Sequence, residues 1–283
     1  MKSTSAPPVI KLNTIPIKMR LVIRLLLVLL AVYGTAFMLL YTFQESLIFQ
    51  ADTLEQDYRF QFETPFEEKS IRTKDGANLH GLHFKVAEPH GLILYFHGNA
   101  GDLSRWGEIV SPFVELGYEM LVVDYRGYGK STGKRTESLL YEDALQWYDL
   151  SLQLSDADSI TVYGRSLGCT FASYVASKRQ PNQLILETPF FSLESLVKKT
   201  YAIFPVSNLL KFKFPSYQFI QQVSCPITII QGTEDAIVPI ENSRRLIDVN
   251  PSIDFVSIPE GEHNNLANFE AYWELINELL PPA

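Results

Sequence analysis

Ile160-Thr161-Val162-Tyr163-Gly164-Arg165-Ser166-Leu167-Gly168 decides the reading of this chain. A β-favouring run ends on Gly-x-Ser-x-Gly, and a helix is expected beyond it. A serine at the point where strand turns into helix occupies strained backbone. Its neighbours must lack bulk so that the helix and the adjacent strands can approach, and its hydroxyl is lifted to the top of the sheet, within reach of a base. Taken alone, the pentapeptide also reads as a plain glycine-rich turn, so the surrounding chain has to decide.

Three further segments do so. Ile227-Thr228-Ile229-Ile230 is followed by Gly232-Thr233-Glu234-Asp235, and Phe255-Val256-Ser257-Ile258 by Glu260-Gly261-Glu262-His263. Upstream, Leu92-Ile93-Leu94-Tyr95-Phe96 is followed by His97-Gly98-Asn99-Ala100-Gly101. Ser166, then Asp235, then His263 is the α/β-hydrolase order. Each lies behind its own β-run, at the strand end where an open α/β sheet gathers its active site. The expected fold is therefore α/β, a mainly parallel sheet flanked by helices. Right-handed crossovers should join Leu92–Phe96, Met120–Val123, Ile160–Tyr163, Leu184–Leu186, Ile227–Ile230 and Phe255–Ile258. Glu67–Thr73 and Leu79–Phe84 should form a hairpin turned at Asp75-Gly76.

The 283 residues carry a formal charge of −8, unevenly spread. Residues 1–50 hold Lys2, Lys11, Lys18, Arg20 and Arg24 against Glu45 alone, a net +4, which leaves −12 for the rest and argues against nucleic acid as a partner. Cys169 and Cys225 fall at opposite ends of neighbouring elements, so two thiols are expected rather than a disulfide.

Leu21–Phe43 is apolar on all faces apart from Arg24, long enough for a transmembrane helix. A cleaved leader ending near Gly34-Thr35-Ala36 is the rival reading, but the apolar run continues through Leu39-Leu40. Because the basic residues precede the span, residues 1–20 are expected as a cytoplasmic tail, with the domain on the far side. The absence of an Asn-x-Ser/Thr acceptor leans toward a bacterial inner membrane and periplasm. Residues 44–66 read as a linker and 67–283 as the catalytic domain. Within it, 190–223 is an insertion rich in Phe and Lys, expected as a short helical cap. That insertion reads either as a lid, with aromatics toward an acyl chain and lysines toward anionic headgroups, or as an ordinary helical excursion.

Glu45-Ser46-Leu47-Ile48-Phe49, Thr73-Lys74-Asp75-Gly76, the His97–Gly101 loop, Asp124-Tyr125-Arg126-Gly127-Tyr128-Gly129-Lys130-Ser131, the Ser166 pentapeptide and Gly232–Asp235 occur together behind a single apolar span. The set resembles the membrane-anchored α/β-hydrolase-domain proteins of the Bem type, a group with bacterial members of unassigned substrate and eukaryotic protein depalmitoylases. The resemblance spans residues 40–283. It implies a serine hydrolase of esterase, thioesterase or peptidase type, but no particular substrate. No Cys-rich palmitoylation segment precedes the domain, which sets the chain apart from the depalmitoylases.

The residues assign Ser166 as nucleophile, His263 as base and Asp235 as its orienting acid, with Glu234 and Glu187 as rival acids. The backbone amides of Asn99 and Leu167 are the expected oxyanion donors. This chemistry needs no metal, nucleotide or redox cofactor, and its substrate is a small or lipid-like acyl compound. His97 reads as an anchor of the oxyanion loop, and Asp124 and Arg126 as residues that hold loops together. His80 and His83, three apart on one strand, should face opposite ways. A serine peptidase, a lyase or acyltransferase, and a catalytically silent membrane-anchored binding module remain the alternatives on this fold.

Overall fold

The computed structural model describes residues 16–281; Lys2, Pro7-Pro8 and Lys11 of the expected tail lie outside the described residues. The described chain opens on helix α1 (Ile17–Ile48). It includes all of Leu21–Phe43 and continues past both expected ends, so Lys18 and Arg20 sit in its first turns. Its most apolar stretch has a mean hydropathy of 2.3 with none of it buried, so the helix is long and apolar enough to cross a membrane. The chain divides into two units between Gln44 and Glu45.

The second unit runs β1 (Gln50–Ala51), β2 (Phe66–Arg72), β3 (Asn78–Phe84), β4 (Leu92–Phe96), β5 (Ala100–Gly101), α2 (Leu103–Glu115), β6 (Glu119–Val123), α3 (Glu137–Ser151), β7 (Ile160–Arg165), α4 (Gly168–Lys178) and β8 (Gln183–Glu187). It continues α5 (Leu193–Lys198), α6 (Val206–Leu209), α7 (Ser216–Ile220), β9 (Ile227–Gly232), α8 (Glu241–Val249), β10 (Asp254–Ile258) and α9 (Glu270–Leu279). Among the described residues, eight strands form one sheet in the order β10-β9-β8-β7-β4-β6-β3-β2. Only β3 runs against its neighbours; β4 and β6 to β10 pair in parallel. The β2–β3 hairpin turns at Asp75-Gly76, with Gly76 at φ +88°.

The central strands are apolar on both faces, as a sheet covered by helices on each side requires. Leu92, Leu94 and Phe96 enter one core with residues of α3, α4 and α8, whereas Ile93 and Tyr95 enter the other with residues of α2 and α9. Each such side chain contributes roughly 1.5–3 kcal/mol on burial.

The expected linker and the 190–223 insertion both pack into this unit. In the expected linker, Phe49 is 3% exposed and Phe60 7%. In the 190–223 insertion, Phe190, Phe212 and Phe214 are buried. Phe214 sits against Phe171 of α4 at 5.6 Å between ring centroids, and Phe219 against Tyr174 at 5.0 Å. These rings pack on the scaffold, because α5 to α7 are too short to form a core of their own and share the domain's. Phe204 is half-buried, and Lys198, Lys199, Lys211 and Lys213 are exposed.

Candidate active site

β7 ends at Arg165 and α4 begins at Gly168, leaving two residues for the reversal. Ser166 makes it at φ +51°, a region costly to any residue with a Cβ. Its amide donates to the carbonyl of Glu187 at the end of β8 (2.9 Å), and its carbonyl accepts from the amide of Cys169 (3.0 Å). The flanking glycines are required by close approach. A Cβ on Gly164 would stand 2.6 Å from Cys169 Cα, and one on Gly168 would overlap the carbonyl of Phe96.

Asp235 lies in the loop after β9 and His263 in the loop after β10. His263 Nε2 is 2.9 Å from Ser166 Oγ, and its Nδ1 is 2.7 Å from Asp235 Oδ2. The Asp235 carboxylate is buried and held on all sides. Oδ1 accepts from the amides of Ile237 (2.9 Å) and Val238 (2.7 Å), and Oδ2 also accepts from Gln231 Nε2 (2.8 Å). The two rival acids are placed elsewhere. Glu234 is exposed. The Glu187 carboxylate is occupied by Arg165 Nε (3.0 Å), Tyr163 OH (2.6 Å) and Tyr272 OH (3.1 Å).

The amides of Asn99 and Leu167 donate to no group among the described residues, although the loops carrying them touch: Gly168 packs on the carbonyls of Phe96 and His97. His97 is fully buried, with Nδ1 2.6 Å from the carbonyl of Gly98 and Nε2 3.2 Å from Asp124 Oδ1. Burial raises the Asp124 carboxyl above the ordinary range, and the hydrogen bond from His97 opposes that rise. Arg126 ties loops, gripping Asp143 (2.6 Å) and Asp75 (2.5 Å). His80 stacks on Phe60 and meets Glu68, whereas His83 meets Glu119. Both cysteines are free thiols, and burial raises both, Cys225 to about 11.

Sequence reading missed two sets of residues around Ser166 and Asn99. Arg165, Tyr163, Tyr272 and Glu187 come together from three parts of the chain under the elbow, the sharp β7-to-α4 turn at Ser166. The Gln50–Ala51 strand pairs with Ala100–Gly101, a contact that no local pattern announces.

A family model described as serine aminopeptidase, S33, matches residues 87–219. An uncharacterized protein of Mycobacterium tuberculosis is 34% identical over 204 residues, covering 69% of this chain and 71% of the relative. The lysophosphatidylserine lipase ABHD12 of Macaca fascicularis is 30% identical over 186 residues, covering 58% of this chain and 46% of the lipase. Among solved structures, an esterase of Pyrococcus furiosus superposes with a TM-score of 0.64 at 19% identity, over 82% of this chain and 96% of the esterase, a likeness of fold. The chain belongs to the α/β-hydrolase-domain protein family. Its fold is that of the α/β-hydrolases.

Proposed function

We propose that this chain is a membrane-anchored serine hydrolase that cleaves an acyl ester, thioester or amide through Ser166, His263 and Asp235. One observation carries the reading: a single imidazole bridges the Ser166 hydroxyl (2.9 Å) and a buried carboxylate (2.7 Å). Because ionised Asp235 can only accept, it fixes the His263 proton on Nδ1 and leaves the Nε2 lone pair for the serine proton. Ser166 Oγ attacks the substrate carbonyl carbon as its proton passes to His263. The oxyanion takes hydrogen bonds from the amides of Leu167 and Asn99, each worth about 3 kcal/mol of barrier. Collapse expels the alcohol, thiol or amine, which takes the proton from His263 and leaves an acyl-enzyme. Water, deprotonated by His263, then releases the acid and restores Ser166.

The lipase named among the relatives, together with the exposed lysines of the 190–223 insertion, favours a lipid-like substrate with an anionic headgroup. α1 serves as the anchor, with the N-terminus cytoplasmic and the hydrolase outside. A serine peptidase is the second reading, favoured by the description of the matching family model.

A fluorophosphonate probe applied to membranes that carry the chain should label it, and Ser166→Ala should abolish both labelling and hydrolysis of a chain-length series of esters and thioesters. Labelling that persists in Ser166→Ala overturns the site. A labelled wild type that cleaves peptides but no ester or thioester selects the peptidase. An unlabelled, inactive wild type leaves a binding module.

A further inference from the structure

We propose that the backbone of Ile48–Ala51, the end of the apolar helix and the strand after it, positions the oxyanion donor Asn99. This rests on the reading of Asn99 given under Proposed function. An oxyanion donor acts only if its N–H points at the site of the developing charge, within about 2.7–3.1 Å of it. That N–H lies in the Gly98–Asn99 peptide plane, whose Gly98 carbonyl is held by His97 Nδ1 (2.6 Å), and its direction is set jointly by that tie and by what fixes Asn99 on the other side of its Cα.

In Asn99, the ties come largely from residues 48–50. Its carbonyl accepts from the amide of Gln50 (2.9 Å) and from Tyr128 OH (2.7 Å). Its side-chain Nδ2 donates to the carbonyl of Ile48 (3.3 Å). The two chains continue as a parallel pair, Gln50 beside Ala100 and Ala51 beside Gly101, and the amide of Asp52 donates to Gly101 (3.3 Å). The oxyanion loop therefore has its neighbouring strand supplied by the segment that leaves the helix.

The segment itself is fastened. Phe49 is almost fully buried, with Phe212 at 5.0 Å, Phe214 at 6.2 Å and Tyr128 at 6.5 Å between ring centroids, and the Arg135 guanidinium 4.8 Å from its ring centroid. Further on, Asp52 and Leu54 bond to Gly129 on both sides (2.8 and 3.0 Å). Gln50 is exposed, so what it supplies is its backbone, not its side chain.

The test uses full-length protein in membranes. Gln50→Pro removes the amide that holds the Asn99 carbonyl, whereas Gln50→Ala keeps it. Expected results are wild-type kinetics for Gln50→Ala and, for Gln50→Pro, a kcat reduced by about tenfold or more with KM unchanged. Affinity for a trifluoromethyl ketone, whose tetrahedral adduct needs the same donor, should fall in proportion to kcat. A purely structural role would lower the amount of folded enzyme without that proportional loss. Wild-type kcat and ketone affinity in folded Gln50→Pro, or equal losses in Gln50→Ala and Gln50→Pro, overturn the proposal. Should Gln50→Pro fail to fold, Asn99→Ala decides, since it cuts only the side-chain tie to Ile48 and keeps the backbone N–H. Reduced kcat with matching loss of ketone affinity supports the proposal, and unchanged kcat refutes it. Ser166→Ala separates the two readings. If it stays active the site itself is misassigned; if it is dead while Gln50→Pro is wild-type, only the positioning role fails.

Discussion

The carboxylate of Glu187 holds Arg165, the residue directly before Ser166, at 3.0 Å, while the backbone carbonyl of the same Glu187 accepts the Ser166 amide at 2.9 Å. One residue of β8 thus grips the elbow by its side chain and by its main chain. The side-chain grip is buried: Tyr163 and Tyr272 complete the shell of Glu187, and the Arg165 guanidinium lies 5.5 Å from the Trp106 ring centroid.

Glu187→Gln should therefore leave the largely buried Arg165 guanidinium without its counter-charge. Breaking a buried pair by removing one partner costs about 3–5 kcal/mol, enough to lower the melting temperature by many degrees. Thermal unfolding followed by circular dichroism reads this directly. A melting temperature equal to that of the wild type would mean that the pair contributes nothing to holding the elbow.

Asp235→Asn should spare the fold and remove activity. Its Oδ1 can still accept from Ile237 and Val238, but an amide NH2 in place of Oδ2 faces His263 Nδ1 with a donor. The imidazole then takes the wrong tautomer, with its proton toward Ser166. The expected fall in kcat is about 10⁴-fold. Steady-state kinetics with an ester substrate, on protein shown to be folded, checks it, and a fall below tenfold would point to another acid.

Phe212→Ala tests what the insertion aromatics do. The ring is 1% exposed and in contact with Phe49 and Phe214, so truncation should leave a cavity and cost about 3–5 kcal/mol of folding free energy. Chemical denaturation measures that loss. A shift in acyl-chain preference with stability unchanged would return Phe212 to the substrate side.

Burial holds Tyr95, Tyr163 and Tyr272 well above the ordinary phenol range, and the nearby Glu187 charge raises them further. The neutral phenol is the form the fold prefers. This stabilisation is complete below the unfolded value of about 10 and is lost as pH rises beyond it, because the unfolded chain then releases protons the fold retains. In an alkaline absorbance titration, these phenolates should appear only together with loss of near-ultraviolet circular dichroism. Full, reversible tyrosine titration near pH 10 with the fold intact would contradict this.

Much of the sheet was legible because the strands buried on both faces announce themselves as short apolar runs. Ile160–Tyr163 and Ile227–Ile230 are such runs, and Ser166 and Asp235 each follow one within a few residues. The Asp75-Gly76 turn likewise fixed the β2–β3 hairpin from local chemistry. Contacts set by topology stayed hidden. Nothing in Gln50-Ala51 says that it pairs with a loop 50 residues on, and nothing in Glu187 says that it reaches Arg165 rather than His263. The insertion was read by composition, which cannot tell a phenylalanine that meets a ligand from one that meets Phe171.

The close docking of Phe49 bears on how freely this stretch of chain can change length. A polar, aromatic stretch between a span and a domain is ordinarily where insertions and deletions accumulate, because nothing there depends on register. Here Phe49 must land in a cage of rings, with Gln50 beside Ala100 on the very next residue. One residue gained or lost between Glu45 and Phe49 would turn the helical side chain by about 100° and swap the strand's faces. Natural variants of this chain should consequently vary in length after Leu54 but not between Glu45 and Ala51.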